Sequence, residues 1–179
     1  MLFSIQQRYI LTLLRGLKCL RSEQLRLLLA RSFPRPGGEL PLSAVEAMLR
    51  QLRYCSGDVI FEGGIVRMRS AEPDMRMLEA IDVMLELTDG RAQNISAGRE
   101  PPVFLRFALS GERPRMFAVA EAGAPFPAEL AAGQRETAER IVWISPSGCA
   151  EKPAALPSGH FFAERLPDGS HRFYGSKNS

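Results

Sequence analysis

Residues 4–69 constrain the fold more than any other stretch, because three short amphipathic helical patterns there lead directly into a two-strand hairpin. Ser4 suits the N-cap of a first helix, whose apolar residues Ile5, Tyr9, Ile10, Leu13, Leu14 and Leu17 recur every three to four positions. Gly16 costs helix stability and is placed near its end. Ser22 is expected to cap a second helix that buries Leu25, Leu28 and Leu29 and leaves Arg21, Arg26 and Arg31 for water or phosphate. Pro34, Pro36, Gly37 and Gly38 stop it. Ser43 and Glu46 then have capping-box spacing, and Val45, Met48, Leu49 and Leu52 form the apolar stripe of a third helix. Two runs follow, Val59 to Glu62 and Ile65 to Met68, joined by Gly63-Gly64. A tight primed turn needs positive φ at both central residues, which glycine adopts without a Cβ clash.

This serial order is that of a winged helix-turn-helix, whose third helix reads DNA. The third helix offers Glu46, Ala47, Arg50, Gln51 and Arg53 on its polar side, a set that fits a groove, although a carboxylate facing DNA repels phosphate unless it accepts from cytosine. The hairpin, as a wing, would carry Arg67 and Arg69 to the phosphates or the minor groove. The expected DNA-binding residues are therefore Arg31, Arg35, Ser43, Ala47, Arg50, Gln51, Arg53, Arg67 and Arg69. The plainer reading is a small α+β unit with a solvated basic face that docks a protein and never touches DNA.

Charge divides the chain in two. Residues 1–70 hold 11 Lys/Arg against 5 Asp/Glu, a net +6, whereas residues 71–179 hold 12 against 15, a net −3. A basic module gains from counterion release on phosphate; an acidic one does not. With 179 residues, 45% of them hydrophobic, the expected organisation is a winged-helix domain over 1–70 and a small α/β domain over 74–175, α+β overall. No stretch is apolar for long enough to cross a bilayer, and Arg8 and Arg15 interrupt the N-terminal apolar residues, so a cytoplasmic location is expected, with no membrane partner. Cys19, Cys55 and Cys149 are odd in number and widely spaced, which suits free thiols in a reducing compartment rather than disulfides or a zinc site.

Beyond a polar link at Ser70-Ala71-Glu72-Pro73, Met77, Leu78, Ile81, Met84 and Leu85 recur as on a helix from about Asp74 to Thr88, closed by Asp89-Gly90. A loop ending at Pro101-Pro102 precedes two adjacent strands, Val103 to Leu109 and Met116 to Glu121. A helix is expected over about Pro127 to Arg140, then the wholly apolar Ile141-Val142-Trp143-Ile144 as a central strand. His160 to Leu166, a Pro167-Asp168-Gly169-Ser170 turn and His171 to Tyr174 complete the chain as a hairpin.

That element order, with the apolar strand Met116-Phe117-Ala118-Val119-Ala120-Glu121, resembles the core of the restriction-endonuclease-like fold. The two-part layout is similar to that of the replication-relaxation proteins of plasmids and integrative elements, and to a family of short bacterial proteins of the same build. The resemblance implies a DNA-binding protein engaged in replication, transfer or regulation of a mobile element. It also implies a test, since active nucleases of that fold hold a divalent metal between an acidic residue on one strand and a Glu-x-Lys on the next. Glu121 stands at the glutamate position, but the lysine position is Gly123, the preceding strand offers Arg106, and Glu112 lies in the loop. The domain is therefore expected to be a degenerate, non-catalytic assembly platform with no metal or cofactor, Glu121 facing solvent or paired with Arg106. The rival is a divergent nuclease that uses Glu121 and Glu112.

Other constellations are weaker. His160 and Glu164 lie four apart on one strand face, with His171 across the hairpin, a geometry open to a metal. Ser145, Ser147 and Cys149 follow the Trp143 strand without a nucleophile-elbow pattern. Phe161, Phe162, Phe173 and Tyr174 are expected to serve core and interface rather than base stacking. A homodimer would pair two half-sites, and the C-terminal domain would supply a surface for a protein partner.

Overall fold

The computed structural model describes residues 3–36, 38–98, 102–111, 114–122, 139–145 and 161–175. They form a mixed α+β protein that divides into two compact units, Met1–Ile81 and Asp82–Ser179.

In the first unit, α1 (Ile5–Leu17) starts on a capping box: the Ser4 hydroxyl accepts from the Gln7 backbone N–H at 3.1 Å, and Gln7 Oε1 accepts from the Ser4 N–H at 2.9 Å. Its buried stripe is Gln7, Ile10, Leu11, Leu13, Leu14 and Leu17. Ile5, expected in that stripe, is 64% exposed, because it lies about 140° around the helix from Ile10 at 3.6 residues per turn. Lys18 turns the chain at φ 70° into a short strand that the sequence pattern did not reveal, β1 (Cys19–Arg21).

Helix α2 (Ser22–Ser32) takes Arg21 as its N-cap residue. Ser22, expected to be the cap, is instead the first helical residue, its N–H spent on the Gly64 carbonyl at 2.8 Å. Helix α3 (Leu42–Ser56) begins two residues earlier than the Ser43–Glu46 spacing predicts. Pro41 is its N-cap residue, with its carbonyl accepting from Ala44 and Val45, so Ser43 sits within the first turn and the expected capping box is replaced by a Glu46–Arg50 ion pair.

The hairpin forms where expected, as β2 (Val59–Glu62) and β3 (Ile65–Met68), with Gly63 at φ 57° and Gly64 at φ 76°. Strand β1 joins it in the antiparallel order β1-β3-β2, with Leu20 opposite Val66 and Phe61 on the other side. Ile10, Leu14, Leu20, Leu25, Leu49, Leu52, Val59 and Val66 are sealed into this unit's core. Each such side chain contributes roughly 1.5–3 kcal/mol, so the packing of α1, α2 and α3 onto the small sheet fixes which face of α3 stays in water.

Helix α4 (Met75–Thr88) is capped by Asp74, whose Oδ1 accepts from the N–H groups of Arg76 and Met77. Its first turns belong to the first unit, where the expected linker also lies. Arg67 Nη1 donates to the Ala71 carbonyl at 2.7 Å, the Asp74 N–H donates to Cys19 Sγ at 3.4 Å, and Gln24 Nε2 donates to the Leu78 carbonyl at 2.7 Å. These bonds order residues 71–78 on the small sheet and α2, beyond the boundary that polarity alone marks.

The second unit is a six-stranded mixed sheet: β4 (Ala92–Ala97), β5 (Val103–Leu109), β6 (Arg115–Glu121), β7 (Arg140–Ser145), β8 (Phe161–Arg165) and β9 (His171–Gly175), in that order across the sheet. Pairing is antiparallel from β4 to β6, parallel from β6 through β8, and antiparallel to β9. Strand β7 is thus central, as its apolar run predicts, while Arg140, assigned from sequence to a helix, opens it. The rest of that expected helix, residues 127–138, lies outside the described residues. One sheet face stacks Phe107 on Phe117 at 5.2 Å; Ala118, Ala120, Ile141 and Trp143 cluster with Val103 in a separate apolar group. Among the described residues no helix is long and apolar enough to cross a membrane.

Candidate nucleic-acid interface

The packing of α3 decides which of its side chains can meet a partner. With Val45, Leu49 and Leu52 buried, the opposite line of the helix is Ser43, Ala47, Arg50 and Tyr54, at spacings of four, three and four residues, and all of them are exposed. The Arg50 side chain is 66% exposed and Tyr54 is 91% exposed. Tyr54 is the residue of this face that sequence reasoning missed; the signal was available, since it lies one turn beyond Arg50.

The flanks of the stripe differ. On one side Gln51, Ala47, Met48 and Arg35 line an open cleft of about 550 Å³ with Ser4 and Gln7. Gln51 is anchored there, its Oε1 accepting from Gln7 Nε2 at 2.9 Å. On the other side lie Glu46 and Arg53, and Arg53 Nη1 makes a long 3.4 Å contact with the Phe61 carbonyl of the hairpin. Glu46 accepts from Arg50 Nη2 at 2.9 Å, so the carboxylate that looked discordant on a DNA-facing surface is offset by a neighbouring cation.

Both hairpin arginines also contact backbone carbonyls of their own unit. Arg67 is half-buried with its guanidinium on the Ala71 carbonyl, and Arg69 Nε donates at 2.7 Å to the carbonyl of Gly57, the residue that ends α3. Helix C-termini leave carbonyls without intrahelical donors, which gives Arg69 a structural task. The turn itself abuts the start of α2 through the Ser22–Gly64 bond rather than standing clear as a projecting loop. Arg31 lies exposed in the last turn of α2. The structure therefore brings Ser43, Ala47 and Arg50 onto one line, sets Arg35 and Gln51 beside it, and turns Arg67 and Arg69 towards backbone carbonyls.

In the second unit, Arg106 Nε donates to Glu139 Oε1 at 3.1 Å. Glu121 is half-buried at the end of β6, its backbone N–H on the Pro102 carbonyl at 3.3 Å. Glu112 and Gly123 lie outside the described residues, as do His160, Ser147 and Cys149. Of the proposed histidine set, Glu164 accepts from the Tyr174 hydroxyl at 2.7 Å, while His171 meets Glu86 of α4 through its ring Nδ1 at 3.1 Å and its backbone N–H at 2.9 Å. His171 and Glu164 therefore serve different neighbours. Among the described residues no three His, Cys, Asp or Glu side chains come together in a metal-binding group.

Neither Cys19 nor Cys55 forms a disulfide, and burial pushes the Cys19 thiol above its ordinary value. No family profile matches the chain, and no curated protein matches its sequence.

Proposed function

We propose that the first unit binds duplex DNA as a winged helix-turn-helix, with α3 presented to the major groove. The observation that carries this reading is the outward line Ser43, Ala47, Arg50 and Tyr54, a convex helix face with small residues at one end and a long cation at its centre. Small residues allow close approach to the groove, and an arginine suits the O6 and N7 acceptors of guanine. Arg50 must leave Glu46 to make that contact. An exposed i,i+4 ion pair is worth about 0.2–0.5 kcal/mol, whereas a bidentate arginine–guanine contact discriminates by about 1–3 kcal/mol, so the exchange favours DNA. Arg35 and Arg53, on either side of the line, are suited to phosphates of the groove walls. The net +6 of residues 1–70 attracts the polyanion at long range.

The helix–strand–helix–helix–hairpin order and the β1-β3-β2 sheet support the winged-helix reading. For the second unit, the end of α4 followed by three antiparallel strands and a parallel β7 supports a nuclease-like framework, and Gly123 and Arg106 where a lysine and an acidic residue would stand support a non-catalytic, assembling role. A setting in replication, transfer or regulation of a mobile element rests on the family resemblance alone. The test is a mobility shift on duplex DNA with the Arg50→Ala/Arg53→Ala double variant, which should lose binding while keeping the wild-type fold by circular dichroism.

A second reading, a protein adaptor, is favoured by one observation: Tyr54 and Arg50, side chains of the kinds that dominate protein interfaces, stand exposed together. It requires a retained protein partner in the absence of any DNA affinity.

A further inference from the structure

Tyr54 is the large apolar side chain most exposed among the described residues, and it stands on the line of α3 that the buried Val45, Leu49 and Leu52 turn away from the core. It follows Arg50 by four residues, about 6 Å along the helix axis at 1.5 Å per residue. In a duplex with base pairs about 3.4 Å apart, that separation reaches roughly two base pairs.

We infer that Tyr54 is a specificity-determining residue, its ring laid against a thymine methyl group in the major groove about two base pairs from a guanine read by Arg50. The inference rests on the DNA-binding reading above and deepens it. In stacked duplex DNA a base offers its edge, not its face, so an uncharged ring in the major groove has one apolar feature to meet, the C5-methyl group of thymine. Ring-on-base stacking would need an unpaired strand. Phosphate contact is a task for the flanking cations, since Tyr54 lies on the outward line with Arg50 while Arg35 and Arg53 sit on its two sides. The pair also fits the hairpin's arrangement, because with Arg67 and Arg69 holding backbone carbonyls, sequence discrimination falls to α3.

The experiment uses the full chain and the strongest duplex recovered by selection from a random-sequence pool, remade with each thymine in turn replaced by uracil. One uracil within about two base pairs of a guanine should weaken wild-type binding about fourfold, the effect of withdrawing one buried methyl group. Tyr54→Ala should bind thymine and uracil forms alike, and Tyr54→Phe, which keeps the ring, should still discriminate. Wild-type indifference to every uracil, or discrimination that survives in Tyr54→Ala, overturns this inference and leaves the DNA-binding reading standing. Failure of the wild type to bind any duplex overturns both.

Discussion

Gln51 Oε1 accepts a 2.9 Å hydrogen bond from Nε2 of Gln7, whose own Oε1 accepts from the Ser4 backbone N–H at 2.9 Å. One buried amide thereby closes the start of α1 and holds the flank of α3. Gln7 is only 4% exposed, and removing its amide takes away both of these hydrogen bonds, each worth about 0.5–1.5 kcal/mol. Gln7→Ala should lower unfolding stability by about 1–3 kcal/mol, read as a lower urea midpoint at unchanged m-value. Gln51→Ala, at an exposed position, should cost less.

Gly63 has φ 57°, and a Cβ there would meet nothing within 4 Å. Any penalty for substitution is therefore a backbone penalty. Gly63→Val should destabilise the first unit by about 1–2 kcal/mol or more, whereas Gly63→Asn, which tolerates the left-handed region, should cost distinctly less. Chemical denaturation of the two variants side by side checks this order.

Glu86 receives both the backbone N–H and ring Nδ1 of His171, whose side chain is 1% exposed. Glu86→Ala leaves those groups without their acceptor and should destabilise the second unit by roughly 1–3 kcal/mol. Hydrogen exchange at the His171 amide should rise in the variant, while amides of α3 should be unaffected.

Asp168, in the β8–β9 turn, accepts from the hydroxyl and the backbone N–H of Ser170, and those bonds hold its carboxyl below the usual carboxylate range. A depressed folded-state value means that the turn's contribution is present above the ordinary aspartate pKa and is lost as pH falls through the lower, folded one. NMR titration of the Asp168 carboxyl carbon should give a midpoint below the model-peptide value, and Ser170→Ala should bring it back up.

The legible parts of the fold were those set by local chemistry. Gly63-Gly64 located the hairpin to the residue, Asp89-Gly90 located the end of α4, and the unbroken Ile141-Val142-Trp143-Ile144 run placed a central strand. Strand β1 was illegible because its three residues are too few for any periodicity and are ordered by pairing with β3, far along the chain. Strand β4 was hidden by Gln93, Asn94 and Ser96, polar residues at a sheet edge with a register shift between Gln93 and Ser96. At the candidate site, helical spacing identified Arg50 and Ala47 as neighbours, yet ending the polar face at Arg53 left out Tyr54. The carbonyl contacts of Arg67 and Arg69 depend on where the fold carries Ala71 and Gly57, which no spacing rule encodes.

The central claim is that the exposed face of α3 binds duplex DNA through its cations, and a salt titration of binding to random-sequence duplex tests it most directly. The account predicts wild-type affinity that falls linearly on a log–log plot with salt, by about 0.9 in slope for each phosphate contacted, and near-complete loss of binding in Arg50→Ala/Arg53→Ala. Arg67→Ala should bind DNA as the wild type does while unfolding more easily. Wild-type protein that fails to bind at low salt, or a double variant that binds as tightly as the wild type, would contradict the account.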